Sequence, residues 1–133
     1  MNYKDFKNQT FYIYLKPNIV EKALEILKLK KRFDSIESYK WIGYIVLLLI
    51  ALTLIKSNDM SKELSIKLTL LVLSGSIMFI IDNISQDIKK ELDKKISSFQ
   101  KQMLIEFCNC NDSCNCRKDF VNYMKGKKIN ILS

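Results

Sequence analysis

Histidine is absent from this 133-residue chain, and proline and glycine nearly so, at one and three residues. Without histidine there is no Ser-His-Asp set, no imidazole proton relay and no imidazole metal ligand. With so little proline and glycine there are few places to turn, so the chain is expected to be almost all helical. It also lacks a Gly-rich phosphate loop and paired carboxylates in an apolar setting. These absences point to a protein that is not an enzyme and has no small-molecule substrate.

Charge is missing over two long stretches. WIGYIVLLLIALTLI at 41–55 and LTLLVLSGSIMFII at 68–81 contain no charged residue. Counting only Leu, Ile, Val and Phe, each run favours insertion into a bilayer by about 3–6 kcal/mol. A span needs ~20 apolar residues, and both runs are short of that. They reach it when Tyr39 and Trp41 sit among headgroups with Lys40 and Lys56 snorkelling outward, and when Leu64–Ile66 join the second run with Lys67 snorkelling. The expected spans are therefore about 39–56 and 64–83. A soluble bundle with two greasy helices is the competing reading, but a helix covered on one side carries a polar stripe, and residues 41–52 show none.

What charge there is has a net value of +8. Lys22, Lys28, Lys30, Lys31, Arg32 and Lys40 precede the first run, while Lys89, Lys90, Lys94, Lys95 and Lys101 follow the second. The intervening loop offers only Lys56, Lys62 and Lys67. The positive-inside bias then places both termini in the cytoplasm, as a multi-pass protein of the cell membrane. Residues 1–38 hold no apolar h-region, so the first span is expected to direct insertion itself.

The expected fold class is an all-α membrane protein: a two-span helical hairpin, a small cytoplasmic helical region and a C-terminal four-cysteine knot. Residues 1–40 form the cytoplasmic N-terminal segment, 41–81 the hairpin, 82–107 a long cytoplasmic helix continuing the second span, and 108–133 the cysteine-rich knot with a terminal helix. Within the first segment, residues 1–9 read as polar and loose, and TFYIYL at 10–15 as a short strand that KINIL at 128–132 could pair with. Pro17 suits the first turn of an amphipathic helix over 18–33, with Ile19, Val20, Ala23, Leu24, Leu27 and Phe33 on one broad face. DSIES at 34–38 reads as a connector. From about Ser65 to Phe107 nothing interrupts the helical pattern. Its seam of Ile84, Ile88, Leu92, Ile96, Phe99, Met103 and Phe107 calls for a partner, either the helix at 18–33 or the same helix of a second copy. Gly126 is expected to cap a last helix at 117–125.

CNCNDSCNC holds Cys108, Cys110, Cys114 and Cys116, the chain's only cysteines. In a reducing cytoplasm, clustered thiolates suggest a soft or borderline metal, with structural zinc the first choice. The CxCxxxCxC spacing departs from the usual CxxC pairs, so Cu(I), disulfides under reversed topology and unliganded redox thiols stay open.

Three further sets are candidates. Thr53, Ser74, Gly75, Ser76 and Asp82 are the residues available for pore lining or close helix packing. Lys28, Lys30, Lys31, Arg32, Lys89, Lys90 and Lys94 could meet an anionic lipid surface or an anionic cytoplasmic ligand, nucleotide or nucleic acid. The seam at 82–107 is the surface for homo-oligomer assembly. In layout, two spans between cytoplasmic flanks, the chain resembles the small two-span membrane effectors that accompany nucleotide-signalling or other defence enzymes in bacteria. That likeness implies a homo-oligomeric effector or channel governed by its cytoplasmic part. The alternative is a membrane-anchored zinc-binding sensor or adaptor, in which the hairpin only tethers.

Overall fold

The computed structural model describes residues 3–56, 62–105, 107–110 and 115–131. They form α1 (Tyr3–Lys7), a 3-10 turn (Thr10–Tyr14), α2 (Pro17–Lys56), α3 (Lys62–Ile105) and α4 (Cys116–Gly126), with no strand among the described residues. The expected all-helical character therefore holds. α2 and α3 are both long and apolar enough to cross a membrane. Pro17 opens α2, where its fixed φ fits and its missing amide leaves no bond unmade.

Four local expectations change. DSIES does not break the helix: α2 continues through it to Lys56, since these five residues include no Gly or Pro and Ser38 bonds back to the Asp34 carbonyl at 2.9 Å. Residues 3–7 are helical rather than loose. TFYIYL coils as a 3-10 turn, and Leu15 makes an isolated antiparallel bridge with Cys108 instead of pairing with 128–132. In a strand, Phe11, Ile13 and Leu15 would share a face; here Phe11 and Leu15 are buried while Ile13 is 83% exposed, so burial of two anchors outweighs strand propensity. Finally, Gly126 is the last residue of α4, and the left-handed residue that closes the turn is Lys128, at φ 58°.

The chain divides into two compact units, Met1–Lys31 with Lys90–Ser133, and Arg32–Lys89. The first is a packed unit. Phe6 sits at its centre, edge-on to Phe11, Tyr12 and Phe120 at centroid distances of 5.9, 5.6 and 6.3 Å. Phe120 also meets Phe99 at 6.0 Å and Phe107 at 5.3 Å. Ile19, Ala23, Ile26, Leu27 and Leu29 of α2 are buried, as are Leu92, Phe99 and Met103 of α3. Much of the expected seam is thus covered within this unit, while Ile84 is exposed.

The second unit is the hairpin. Gly43 lets its two helices come close, because a Cβ there would run into the Met78 sulfur. Its large apolar side chains otherwise face outward: Trp41, Ile45, Leu48, Leu49, Val72, Ile77, Phe79 and Ile80 are all exposed.

Candidate functional site

At the charged end of the hairpin unit, Glu37, Lys40 and Tyr44 stand three and four residues apart on one face of α2, and Met78, Asp82 and Ser85 share a face of α3. The pairs between them step along the helices in opposite directions, which makes the pairing antiparallel. Lys40 Nζ lies 2.6 Å from Asp82 Oδ1 and 3.2 Å from Glu37 Oε1. The Tyr44 hydroxyl donates to Asp82 Oδ2 at 3.4 Å, and the buried Ser85 hydroxyl donates to Glu37 Oε1 at 2.7 Å. That short bond from Ser85 holds the Glu37 carboxyl below the usual carboxylate range; Lys40 adds to the effect and burial opposes it. The arrangement is a polar clasp in which one ammonium and two hydroxyls bind two carboxylates, leaving one net negative charge.

The residues proposed for pore lining or packing do not converge. Asp82 is engaged by Lys40, which was expected to snorkel outward and instead turns across to α3. Thr53, Ser74 and Ser76 each bond to a carbonyl of their own helix, Ile50, Leu71 and Val72, at 2.7, 3.0 and 2.8 Å. Within the single chain Gly75 faces open space, whereas a Cβ at Gly43 would meet Met78.

In the packed unit, the cysteines gather where the end of α3 meets the turn after α1. The Asn109 amide donates to the Tyr14 carbonyl at 3.1 Å, and the Lys16 amide to the Phe107 carbonyl at 3.4 Å. Cys108 is thereby fixed beside Leu15, and Cys110 follows directly. Cys116 opens α4, and the sulfurs of Cys110 and Cys116 are 3.2 Å apart. Cys108, Cys110 and Cys116 form no disulfide with one another, and Cys114 lies outside the described residues. No three Cys, Asp or Glu converge on a metal position among the described residues.

The cationic candidates are spread over helix surfaces: Lys28, Lys31, Arg32, Lys89, Lys90 and Lys94 are exposed and Lys30 half-buried. None of them lines the cleft of about 190 Å³ formed by Lys22, Glu25, Ile26, Lys95 and Ser98 in the packed unit. Within that cleft Lys95 is held by Glu25, and it also lies 3.9 Å from Glu91. Across the same unit, Lys127 pairs with Asp5 at 2.9 Å, and this bond raises the Lys127 ammonium above the ordinary lysine range. Burial pushes the Tyr123 phenol up, and its hydroxyl has no hydrogen-bond partner among the described residues.

Sequence reasoning missed both the clasp and the Gly43 contact. Its only available signal was that Glu37 and Lys40 precede the first apolar run while Asp82 and Ser85 close the second. Comparison with protein-family models, curated proteins and solved structures finds no match.

Proposed function

We propose that the chain is a two-span integral membrane protein with cytoplasmic termini, whose hairpin anchors a packed helical module that acts as an adaptor or sensor. The observation that carries the membrane part is outward-facing apolar surface. In the most apolar stretches of α2 and α3, 0% and 11% of residues are buried. A soluble protein rarely leaves so large a contiguous apolar surface in water, whereas acyl chains cover it without cost.

The anchoring role rests on how the span hydroxyls and Asp82 are used. Each hydroxyl is satisfied by its own helix and Asp82 by Lys40, which leaves little polar lining for a water-filled path. The homo-oligomeric effector is the second reading. It is favoured by Ile13, Tyr14, Leu104 and Ile105, exposed apolar residues flanking the junction at which Lys16 bonds Phe107. A second copy there would not need the seam at 82–107, much of which the chain itself covers. Zinc held by Cys108, Cys110, Cys114 and Cys116 remains the metal to test in a sensor, and an anionic ligand would have to be drawn to the exposed lysines.

The deciding experiment exchanges residues 39–83 for an unrelated two-span hairpin and follows membrane potential with a dye in an expressing bacterium. An anchor leaves the potential unchanged in both forms, and the exchanged form stays membrane-bound with its module folded. Depolarisation by the native chain that disappears on exchange would sink the anchor and establish the effector.

A further inference from the structure

Cys110 and Cys116 are brought together by two segments that are anchored independently. Cys110 follows the stretch tied to the 3-10 turn by the Leu15–Cys108 bridge and the Asn109–Tyr14 bond. Cys116 is set by α4, whose Phe120 and Met124 are fully buried in the packed unit. The resulting sulfur separation, 3.2 Å, leaves about 1.2 Å to close to a disulfide.

We infer that Cys110 and Cys116 form a redox-responsive dithiol that closes to an intrachain disulfide with hydrogen peroxide as oxidant. One sulfur attacks a peroxide oxygen and the O–O bond breaks, giving a sulfenic acid and water. The second sulfur then attacks the sulfenic sulfur; the S–S bond forms, the S–O bond breaks and the oxygen leaves as a second water. In sum, two thiols and one peroxide give one disulfide and two waters, and a small-molecule thiol reverses the step by exchange. The new bond ties the start of α4 to the end of the α3 junction, so the oxidised packed unit holds α4 more firmly. This chemistry goes beyond the anchoring role and does not depend on it.

The test uses the full-length, metal-free, reduced protein in detergent. It is exposed to hydrogen peroxide, alkylated, and the peptide between Lys101 and Arg117, which carries all four cysteines, is sequenced by tandem mass spectrometry. Cys110 and Cys116 should lose alkylation together, the protein should run as a monomer on a non-reducing gel, and dithiothreitol should restore all four thiols. Amide exchange in α4 should slow on oxidation. The Cys108→Ser, Cys114→Ser double variant should still close, and Cys110→Ser should not. Should either variant misfold, the map on the native chain decides by itself. Loss at a different pair, crosslinks only between chains, or four thiols surviving excess peroxide would overturn the inference. So would one equivalent of zinc shielding all four thiols equally, which would instead establish the metal site.

Discussion

The packed unit and the hairpin draw on much the same apolar residue types and place them on opposite sides. In the packed unit, Phe6, Phe99 and Phe120 are at most 1% exposed, with Phe120 edge-on to Phe6 and tilted against Phe99. In the hairpin, Trp41 is 71% and Phe79 68% exposed. The polar groups are reversed as well: the clasp of Glu37, Lys40, Asp82 and Ser85 lies between helices, whereas Lys28, Lys31 and Lys94 face out. The contrast is what the proposed membrane anchoring requires: a unit facing water turns its apolar groups inward, and one facing lipid would turn its polar groups toward each other.

The largest expected effect breaks one side of that comparison only. Phe120→Ala removes a ring touching four others and should cost the packed unit about 3–5 kcal/mol. The chain's one tryptophan, Trp41, belongs to the hairpin, as do Tyr39 and Tyr44, while Tyr12 and Tyr123 belong to the packed unit. Partial loss of tyrosine near-ultraviolet dichroism with Trp41 emission unchanged is the expected outcome. If both signals collapse together, the two units do not fold separately.

A smaller change acts on the other side. Gly43→Leu forces the Met78 side chain to give way where it packs on α2, at about 1–3 kcal/mol of overpacking. Trp41 emission should shift and the hairpin should melt at a lower denaturing-detergent fraction, with amide exchange in α4 of the packed unit unchanged. Gly75→Leu is the control, since its Cβ meets nothing within 4 Å and the side chain would only add apolar surface toward lipid. Equal damage from both would remove Gly43 as the contact point.

How far each unit could be read in advance follows the same physics. Helical periodicity made α3 legible to within a few residues, together with the buried Leu92, Phe99, Met103 and Phe107, because a seam on a long helix is a local pattern. Ile26 and Leu29 escaped, since the apolar residues of α2 spread over a broad arc and only the partner helix decides which of them face it. Phe6 escaped altogether: in MNYKDFKNQ it is an aromatic among polar neighbours, and its burial depends on Phe120, more than a hundred positions away. The clasp was hidden for a different reason. Lysine at a span end and aspartate at a membrane boundary each have an adequate solvent-facing explanation, so only the register of α2 against α3 reveals that they meet. The cysteines are conspicuous as a cluster, but the meeting of Cys110 with Cys116 depends on the Leu15–Cys108 bridge, which a strand over 10–15 paired with 128–132 does not provide.

The smallest effect sharpens the comparison through pH. In the packed unit, the Asp5 carboxylate accepts a bond from Lys127 and raises the ammonium above the ordinary lysine value, so the folded chain holds that proton more tightly than the unfolded one. The contribution is therefore complete below the ordinary lysine range and is lost as pH rises through the raised value. With both side chains partly exposed, it is worth about 0.2–1 kcal/mol. Asp5→Asn should lower the melting point of the tyrosine signal by a small amount at pH 7 and by less and less at strongly alkaline pH, while the Trp41 signal shows no change. The hairpin carries the opposite dependence. Ser85 holds Glu37 below its usual range, so that contribution is present at neutral pH and fades as pH falls through the lowered value. Stability lost on the alkaline side in one unit and on the acid side in the other thus separates the units by the sign of their pH response. An alkaline loss that persists undiminished in Asp5→Asn would show that the pair is not its source.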